Sequence, residues 1–350
     1  MTCDVTDFIP DRERAADAGA TIPVIDISPF TGDDAVQRWR VVDAVKQACE
    51  HVGFFVIIGH GIDDAVVRAV FDSGRAFFAR PRDQKMCIKR PGPGISRGYN
   101  GLAGQSLSLS MGNRSPPDLM ESLGFGPFAT NDDPYWTQGY GPVHGHPNLF
   151  PEDMPQLQRA VADYWQSMEE LSGRINRIFA LALGLDEDFF VVRSARHVTS
   201  MRVNYYPAQD RPPEPGQLRA GAHSDYGAFT ILCGESAPGS LQVLRRGGDW
   251  VYVPMIKDSF VINIGDLLMR WTNDEWVSTI HRVANPPEDL RDKVDRMSVA
   301  FFFVPDHDVE VKCIDRCTGP DNPPRYPAVT AGAHWRGKIL AAREITAQAN

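Results

Sequence analysis

No stretch of this sequence is apolar for long enough to cross a bilayer. The longest hydrophobic runs, such as Phe54 to Ile58 and Val299 to Val304, are strand-sized. No run of Lys and Arg exceeds two residues, and Lys+Arg 36 against Asp+Glu 45 leaves a net charge of −9. A nucleic-acid binder needs a clustered basic face, so no nucleic-acid partner is expected. Cysteine is sparse, with six scattered at positions 3, 49, 87, 233, 313 and 317. The spacing of Cys313 and Cys317 suits neither a CxxC redox pair nor a paired zinc knuckle, and the set reads as reduced thiols. The N-terminus, MTCDVTDFIPDRER, carries acids where a signal peptide carries bases and has no apolar centre. These absences point to a cytoplasmic, non-membrane protein. Internal repeats and low-complexity tracts are also missing.

What is present is enough apolar material for a substantial core: 43% of 350 residues are hydrophobic. Residues 1–190 read as a mixed, mainly helical region. Ile22 to Ile27 is a short strand, and Phe54 to Ile58 is a buried one. Asp33 to His51 is a helix with Val36, Trp39, Val42 and Val45 on its apolar stripe; Asp63 to Phe78 is a second helix, stopped by Pro81. Residues 91–150 are rich in Gly, Pro, Ser and Asn and read either as functional loops or as a connector. The clearest helix spans 155–184, where Leu157, Val161, Tyr164, Met168, Leu171, Ile175, Ile178 and Ala182 step by four and three before Gly184.

From Thr199 the period changes to that of strands. Short runs at Ser200–Tyr206, Phe229–Cys233, Leu241–Leu244, Trp250–Val253, Phe260–Ile264, Ser278–Val283 and Ser298–Val304 are separated by turn residues. This predicts a jelly-roll core over 191–306. The tail at 307–350 ends in a helix over Gly332 to Ala349. The expected fold class is α+β with a mainly β core.

Nine histidines are present, so a single one carries little information. His51, His60, His144, His146, His197, His307 and His334 read as surface or hydrogen-bonded structural residues. His223 and Asp225 differ, because they lie two apart where strand structure begins, in GAHSDYGAFTIL. Alternation puts both on one face. His281, more than fifty residues later in the β-branched segment STIHRVANP, offers a third donor. Two imidazoles and one carboxylate on one face of an octahedron leave open positions, the arrangement of non-haem Fe(II) oxygenases. Arg296 and Ser298 are also two apart, opening the apolar strand SVAFFFV. A buried guanidinium needs an anionic partner, and an Arg beside a hydroxyl is suited to grip a carboxylate. Arg202, Asn204 and Tyr206 share one parity on another strand, and by the same alternation Ala300 and Phe302 follow Arg296 and Ser298.

Taken together, HSDYGAFTIL, WVYVPMIKDSFVINIGDLLMRWTNDEWVSTIHRVANP, DRMSVAFFFVPD and NYYP resemble the isopenicillin-N-synthase-like group of Fe(II)/2-oxoglutarate-dependent dioxygenases. IPVIDISPF and HVGFFVIIGHGI resemble that group's N-terminal region. The resemblance runs from about residue 22 to 306. It implies a double-stranded β-helix core, iron held by His223, Asp225 and His281, and 2-oxoglutarate and O2 as co-substrates. It further implies that Arg296 and Ser298 bind the distal carboxylate of 2-oxoglutarate with help from Tyr206, and that Asn204 lies near the chelating end.

The implied reaction is hydroxylation or desaturation of a small organic molecule, with release of succinate and CO2. Substrate-side candidates are Arg202, at a position that approaches substrate in plant flavonoid members of the group, together with Phe302, Tyr226 and Tyr99. The rim is expected around Arg97-Gly98-Tyr99 and Glu121-Ser122. An iron oxidase of the same fold that spares 2-oxoglutarate, a non-catalytic binding module and a zinc hydrolase are competing readings. The working form is expected to be a monomer or homodimer.

Overall fold

Alternating hydrophobicity from residue 199 onward supplies all of one sheet and half the strands of a second, and the two mainly antiparallel sheets face each other. They are seen in a computed structural model that describes residues 21–92, 94–112, 115–128, 130 and 132–347. In chain order the strands are β1 (Val24–Asp26), β2 (Phe54–Ile58), β3 (Gly98–Asn100), β4 (Glu121–Phe125), β5 (Ser200–Tyr206), β6 (Ala220–His223) and β7 (Phe229–Gly234). They continue with β8 (Leu241–Leu244), β9 (Trp250–Tyr252), β10 (Phe260–Ile264), β11 (His281–Val283), β12 (Arg296–Phe303), β13 (Glu310–Val311) and β14 (Val329–Thr330). The major sheet has the order β1-β2-β10-β7-β12-β5-β4-β3 and the minor sheet β6-β11-β8-β9. All neighbours in both sheets run antiparallel except β1 and β2. This is the double-stranded β-helix.

Alternation decides what each face of the major sheet meets. On β5 and β12, Met201, Val203, Met297, Val299 and Phe301 turn toward the helices and join one buried cluster with the Pro155–Ala182 helix. All eight residues of the predicted stripe on that helix are buried, and Gly184 ends it with a φ of 64°. The other parity, Arg202, Asn204 and Tyr206 with Arg296, Ser298, Ala300 and Phe302, turns toward the minor sheet and lines a common cavity.

The Ala35–His51 helix buries Val41, Val42, Val45, Ala48 and Cys49, whereas Val36 and Trp39 are exposed. Residues 33–40 are exposed or half-buried on every side, so the first turns stand clear of the core and the buried stripe starts one turn later. The Gly- and Pro-rich stretch 91–150 contains β3 and β4, which extend the major sheet beyond β5. The major sheet thus takes strands from both sides of residue 190. The predicted strand at Ser278–Val283 is regular only from His281, because Ser278 and Thr279 turn their hydroxyls to Asp266 Oδ1 and the Val52 carbonyl. A short helix, Asp266–Trp271, follows β10 inside an apolar segment with no helical period. The terminal helix spans Ala331–Ala347; the last two residues expected for it, and Cys3, lie outside the described residues. Among the described residues the cysteines are free thiols, and no helix is long and apolar enough to cross a membrane.

Candidate metal centre and co-substrate pocket

The minor sheet supplies two imidazoles from adjacent strands. His223 ends β6, His281 begins β11, and the two are direct cross-strand partners with ring centroids 4.3 Å apart. Each ring is held from behind. His223 Nδ1 lies 2.8 Å from the Gly221 carbonyl and His281 Nδ1 lies 3.1 Å from the Thr279 carbonyl. A carbonyl only accepts, so Nδ1 carries the proton in both rings and the Nε2 lone pairs face the centre.

Asp225 does not owe its direction to strand alternation, as the sequence reading supposed. The strand stops at His223, and Asp225 lies in the following bend. Its orientation comes from β7 and β10 instead. Thr230 Oγ1 donates to Asp225 Oδ2 at 2.6 Å and Asn263 Nδ2 donates to the same oxygen at 2.7 Å. Oδ1 is left facing both imidazoles, 3.8 Å from His223 Nε2 and 3.8 Å from His281 Nε2. One ion with bonds of about 2 Å bridges donors at that spacing. Thr230 and Asn263 are absent from the sequence reading; their signal is polarity inside the apolar strands FTILCG and FVINI.

Electrostatics prepare two of the donors, His223 and Asp225. Burial pushes His223 down to about 3, reinforced by His281, so its imidazole is neutral and ready to ligate. Burial pushes the Asp225 carboxyl up, but the two imidazoles and the Thr230 and Asn263 hydrogen bonds outweigh it, and the net direction is down. Among the described residues, His223, Asp225 and His281 form the one cluster of three such donors close enough to share an ion.

Across the cavity, register brings the polar residues of β5 and β12 together. β12 pairs with β5 so that Arg296 faces Tyr206, Ser298 faces Asn204 and Ala300 faces Arg202. Arg296 is 1% exposed, with its guanidinium 5.3 Å from the Tyr206 ring centroid. Its Nε donates to the Glu235 carbonyl at 3.1 Å, while Nη1 and Nη2 are buried and have no protein partner. Burial lowers its pKa, but an arginine at this position stays charged. The Asn204 Oδ1 atom is likewise buried without a partner. A buried unpaired guanidinium is costly unless an anion joins it, whereas the unpaired Asn204 Oδ1 can only accept and calls for a donor.

The cavity has two lobes that meet at Leu107, Arg202, His223, Asp225 and Phe302. The inner lobe, about 50 Å³, is lined by the three donors and by Arg296, Ser298, Asn204 and Tyr206. The outer lobe, about 410 Å³, falls in the size range of small-molecule sites. Arg202 and Phe302 border both lobes, with the guanidinium 5.2 Å from the ring centroid. Arg202 Nη1 reaches Gln105 Oε1 at 3.4 Å, and its buried Nε has no partner. Tyr226 lines the outer lobe as expected.

Tyr99 does not. Its ring packs on Phe77 in the core and its hydroxyl donates to Glu121 Oε2 at 2.6 Å. Strand alternation instead brings its neighbours Gly98 and Asn100 to the chamber wall, along with Ser122. Arg97 is also withdrawn, donating to the His144 carbonyl at 2.7 Å. Of the histidines read as structural, His60 and His307 lie against the carbonyls of Asp258 and Tyr135, and His197 against Glu169.

Comparison with known proteins agrees with this geometry. Residues 22–153 match the family model described as the non-haem dioxygenase in morphine synthesis N-terminal region, and residues 198–305 match the 2OG-Fe(II) oxygenase superfamily. The 2-oxoglutarate-Fe(II) type oxidoreductase hxnY of Emericella nidulans is 34% identical over 90% of this chain and 88% of that relative. Homoarginine-6-hydroxylase 2-ODD-233 of Oryza sativa subsp. japonica is 32% identical over 91% of this chain and 96% of its own. Among solved structures, a full-length Neurospora crassa protein in complex with alpha-KG superposes with a TM-score of 0.80 at 27% identity, covering 94% of this chain and 99% of that one. A putative 2OG-Fe(II) oxygenase family protein from Caulobacter crescentus gives 0.78 at 29%, covering 93% and 99%.

Proposed function

Because the chain belongs to the Fe(II)/2-oxoglutarate-dependent oxygenases, which couple oxidation of a small molecule to conversion of 2-oxoglutarate into succinate and CO2, we propose which of its residues carry each part of that reaction. His223, Asp225 and His281 hold Fe(II). Arg296 and Ser298 grip the distal carboxylate of 2-oxoglutarate with Tyr206 alongside, and Asn204 faces the chelating end. Arg202 meets a hydrogen-bonding or anionic part of the substrate in the outer lobe, whose walls include Phe302 and Tyr226. The observation that carries this assignment is the Arg296 guanidinium: two buried nitrogens without a partner, bordering the same small lobe as the three donors.

The donor set fits the metal. Two imidazoles and a carboxylate without thiolate suit Fe(II) and leave positions for other ligands. Iron and 2-oxoglutarate, when bound, supply the oxidising chemistry. The chain's own residues orient and exclude. The Gly221 and Thr279 carbonyls keep both rings in the ligating tautomer, and Thr230 with Asn263 reserves one carboxylate oxygen for the ion. Leu232, Leu241 and Val283 wall the inner lobe and keep bulk water from it. Apart from the donors themselves, the residues that line that lobe include no carboxylate, imidazole or lysine.

With net charge −9 and no basic run, the partner read for this site is a small molecule, and we keep the working form as a cytoplasmic monomer or homodimer without nucleic acid.

Anaerobic titration of the Fe(II)-loaded protein with 2-oxoglutarate tests the assignment through the charge-transfer band. Arg296→Ala should still take up metal but bind 2-oxoglutarate at least about 10-fold more weakly, since a charge-assisted hydrogen bond contributes about 1.5–3 kcal/mol. His281→Ala should lose the band with the metal. An Arg296→Ala protein that titrates like wild type removes the clamp.

A further inference from the structure

The chamber wall is completed from the far end of the chain. Trp335 and Ile339, one turn apart on the Ala331–Ala347 helix, line the outer lobe beside Tyr226. Lys338, on the same side of the helix, points into the protein. Its Nζ meets Asp266 Oδ2 at 2.6 Å, and the two side chains are 9% and 2% exposed. An ammonium this deep persists only when paired. Lys338 Nζ also lies 5.9 Å from the Tyr226 ring centroid.

Asp266 reaches both segments that carry the metal donors. Its Oδ2 accepts from Ser224 Oγ at 3.1 Å, and Ser224 stands between His223 and Asp225. Its Oδ1 accepts from Ser278 Oγ at 2.7 Å, and Ser278 stands just ahead of His281. Its backbone N–H donates to the Asp225 carbonyl at 2.8 Å. One carboxylate therefore ties the C-terminal helix to the 223–225 bend and to the approach to β11.

We propose that Lys338 is a positioning residue that seats the C-terminal helix through Asp266, and that Trp335 and Ile339, so seated, are the substrate-selecting wall of the chamber. The wall is apolar and partly aromatic, while Arg202, Gln105, Asn100 and Ser122 supply polar groups elsewhere in the lining. The substrate part that meets this helix is accordingly apolar, and its hydrogen-bonding part faces away from it. Seating also bears on the iron donors, because loss of Lys338 leaves Asp266 as a buried carboxylate without its cation, beside the bend that holds His223 and Asp225.

This inference rests on reading the outer lobe as the substrate chamber. Its test uses the full chain loaded with Mn(II), an oxygen-inert stand-in for Fe(II), and compares wild type, Lys338→Met and Trp335→Ala. Hydrogen–deuterium exchange in Lys338→Met should rise about tenfold or more in both 331–339 and 222–228. Trp335→Ala gives up its edge contact with His144, so exchange in 331–339 should rise less than in Lys338→Met, and 222–228 should stay near wild type, because the Asp266 tie is intact. EDTA should strip Mn(II) about fivefold faster from both variants, as the chamber is the route to the ion. The 2-oxoglutarate affinity, measured by calorimetry, should stay within about twofold in Trp335→Ala, whose side chain lines the outer lobe and not the Arg296 lobe.

Exchange in 222–228 that stays at the wild-type level in Lys338→Met overturns the coupling, and an unaltered EDTA rate in Trp335→Ala overturns the wall. Wild-type protein that fails to bind 2-oxoglutarate sinks the proposed residue roles instead, while the exchange data still decide the seat.

Discussion

Gly234 is where a single hydrogen atom governs the co-substrate lobe. It pairs with Ser298 across the major sheet, and a Cβ placed on it would lie 2.6 Å from Arg296 Nη2. The guanidinium tip would have to move, and it is the end we propose to meet the 2-oxoglutarate carboxylate. Gly234→Ala is therefore expected to weaken 2-oxoglutarate binding about tenfold, near 1.4 kcal/mol, while the melting temperature shifts little. Calorimetry on Mn(II)-loaded protein reads both effects; unchanged affinity would mean that Arg296 is free to swing without losing its ligand. Thr230 and Asn263 belong to the same scale. Both line the inner lobe and both hold Asp225 Oδ2, so removing either loosens the carboxylate. Thr230→Val should lower metal affinity about 10- to 100-fold, the usual effect of losing such a support, as measured by competition with a chelator.

The Pro155–Ala182 helix is the element that backs the site. Its stripe packs against the parity of β5 and β12 that does not face the cavity, so the helix holds flat the strands that present Arg202, Asn204, Tyr206, Arg296 and Ser298. Leu171 sits fully buried on that stripe. Leu171→Ala should cost about 2–5 kcal/mol in denaturant unfolding through lost contacts and a residual cavity. The protein that remains folded should keep its metal affinity, because no donor touches the helix. A change in affinity larger than the change in stability would show that the sheet bends without its backing.

Over the whole molecule, buried neutral histidines link stability to pH. His223 and His144 are each pushed down to about 3, chiefly by burial, from an ordinary value of 6.5. The unfolded chain therefore takes up protons at these sites below about 6.5 while the folded chain refuses them until about 3. The stability they contribute is complete above 6.5 and declines through that window as pH falls. The metal-free protein should show a melting temperature that drops steadily from about pH 6.5 toward about 3, and His144→Phe should lessen the slope without affecting metal uptake. A flat profile would mean that these rings protonate in place.

Much of the site was legible without a fold because strand alternation is a property of the covalent backbone. The parity of Arg202, Asn204 and Tyr206, and of Arg296, Ser298 and Phe302, follows from spacing alone, and so does the helical stripe at 155–182; His281 joined the HxD pair as a strand histidine, and iron as their ion came from the family resemblance. Alternation failed where the strand ended: it accounts for Asp225 only by accident, since the carboxylate is aimed by Thr230 and Asn263 from other strands. It also could not say on which side of β3 the chamber lies, and Tyr99 belongs to the core side. Register across sheets, the pairing of His223 with His281, and the return of Lys338 to Asp266 are long-range closures. They are set by which faces pack together, and only the tertiary structure decides that.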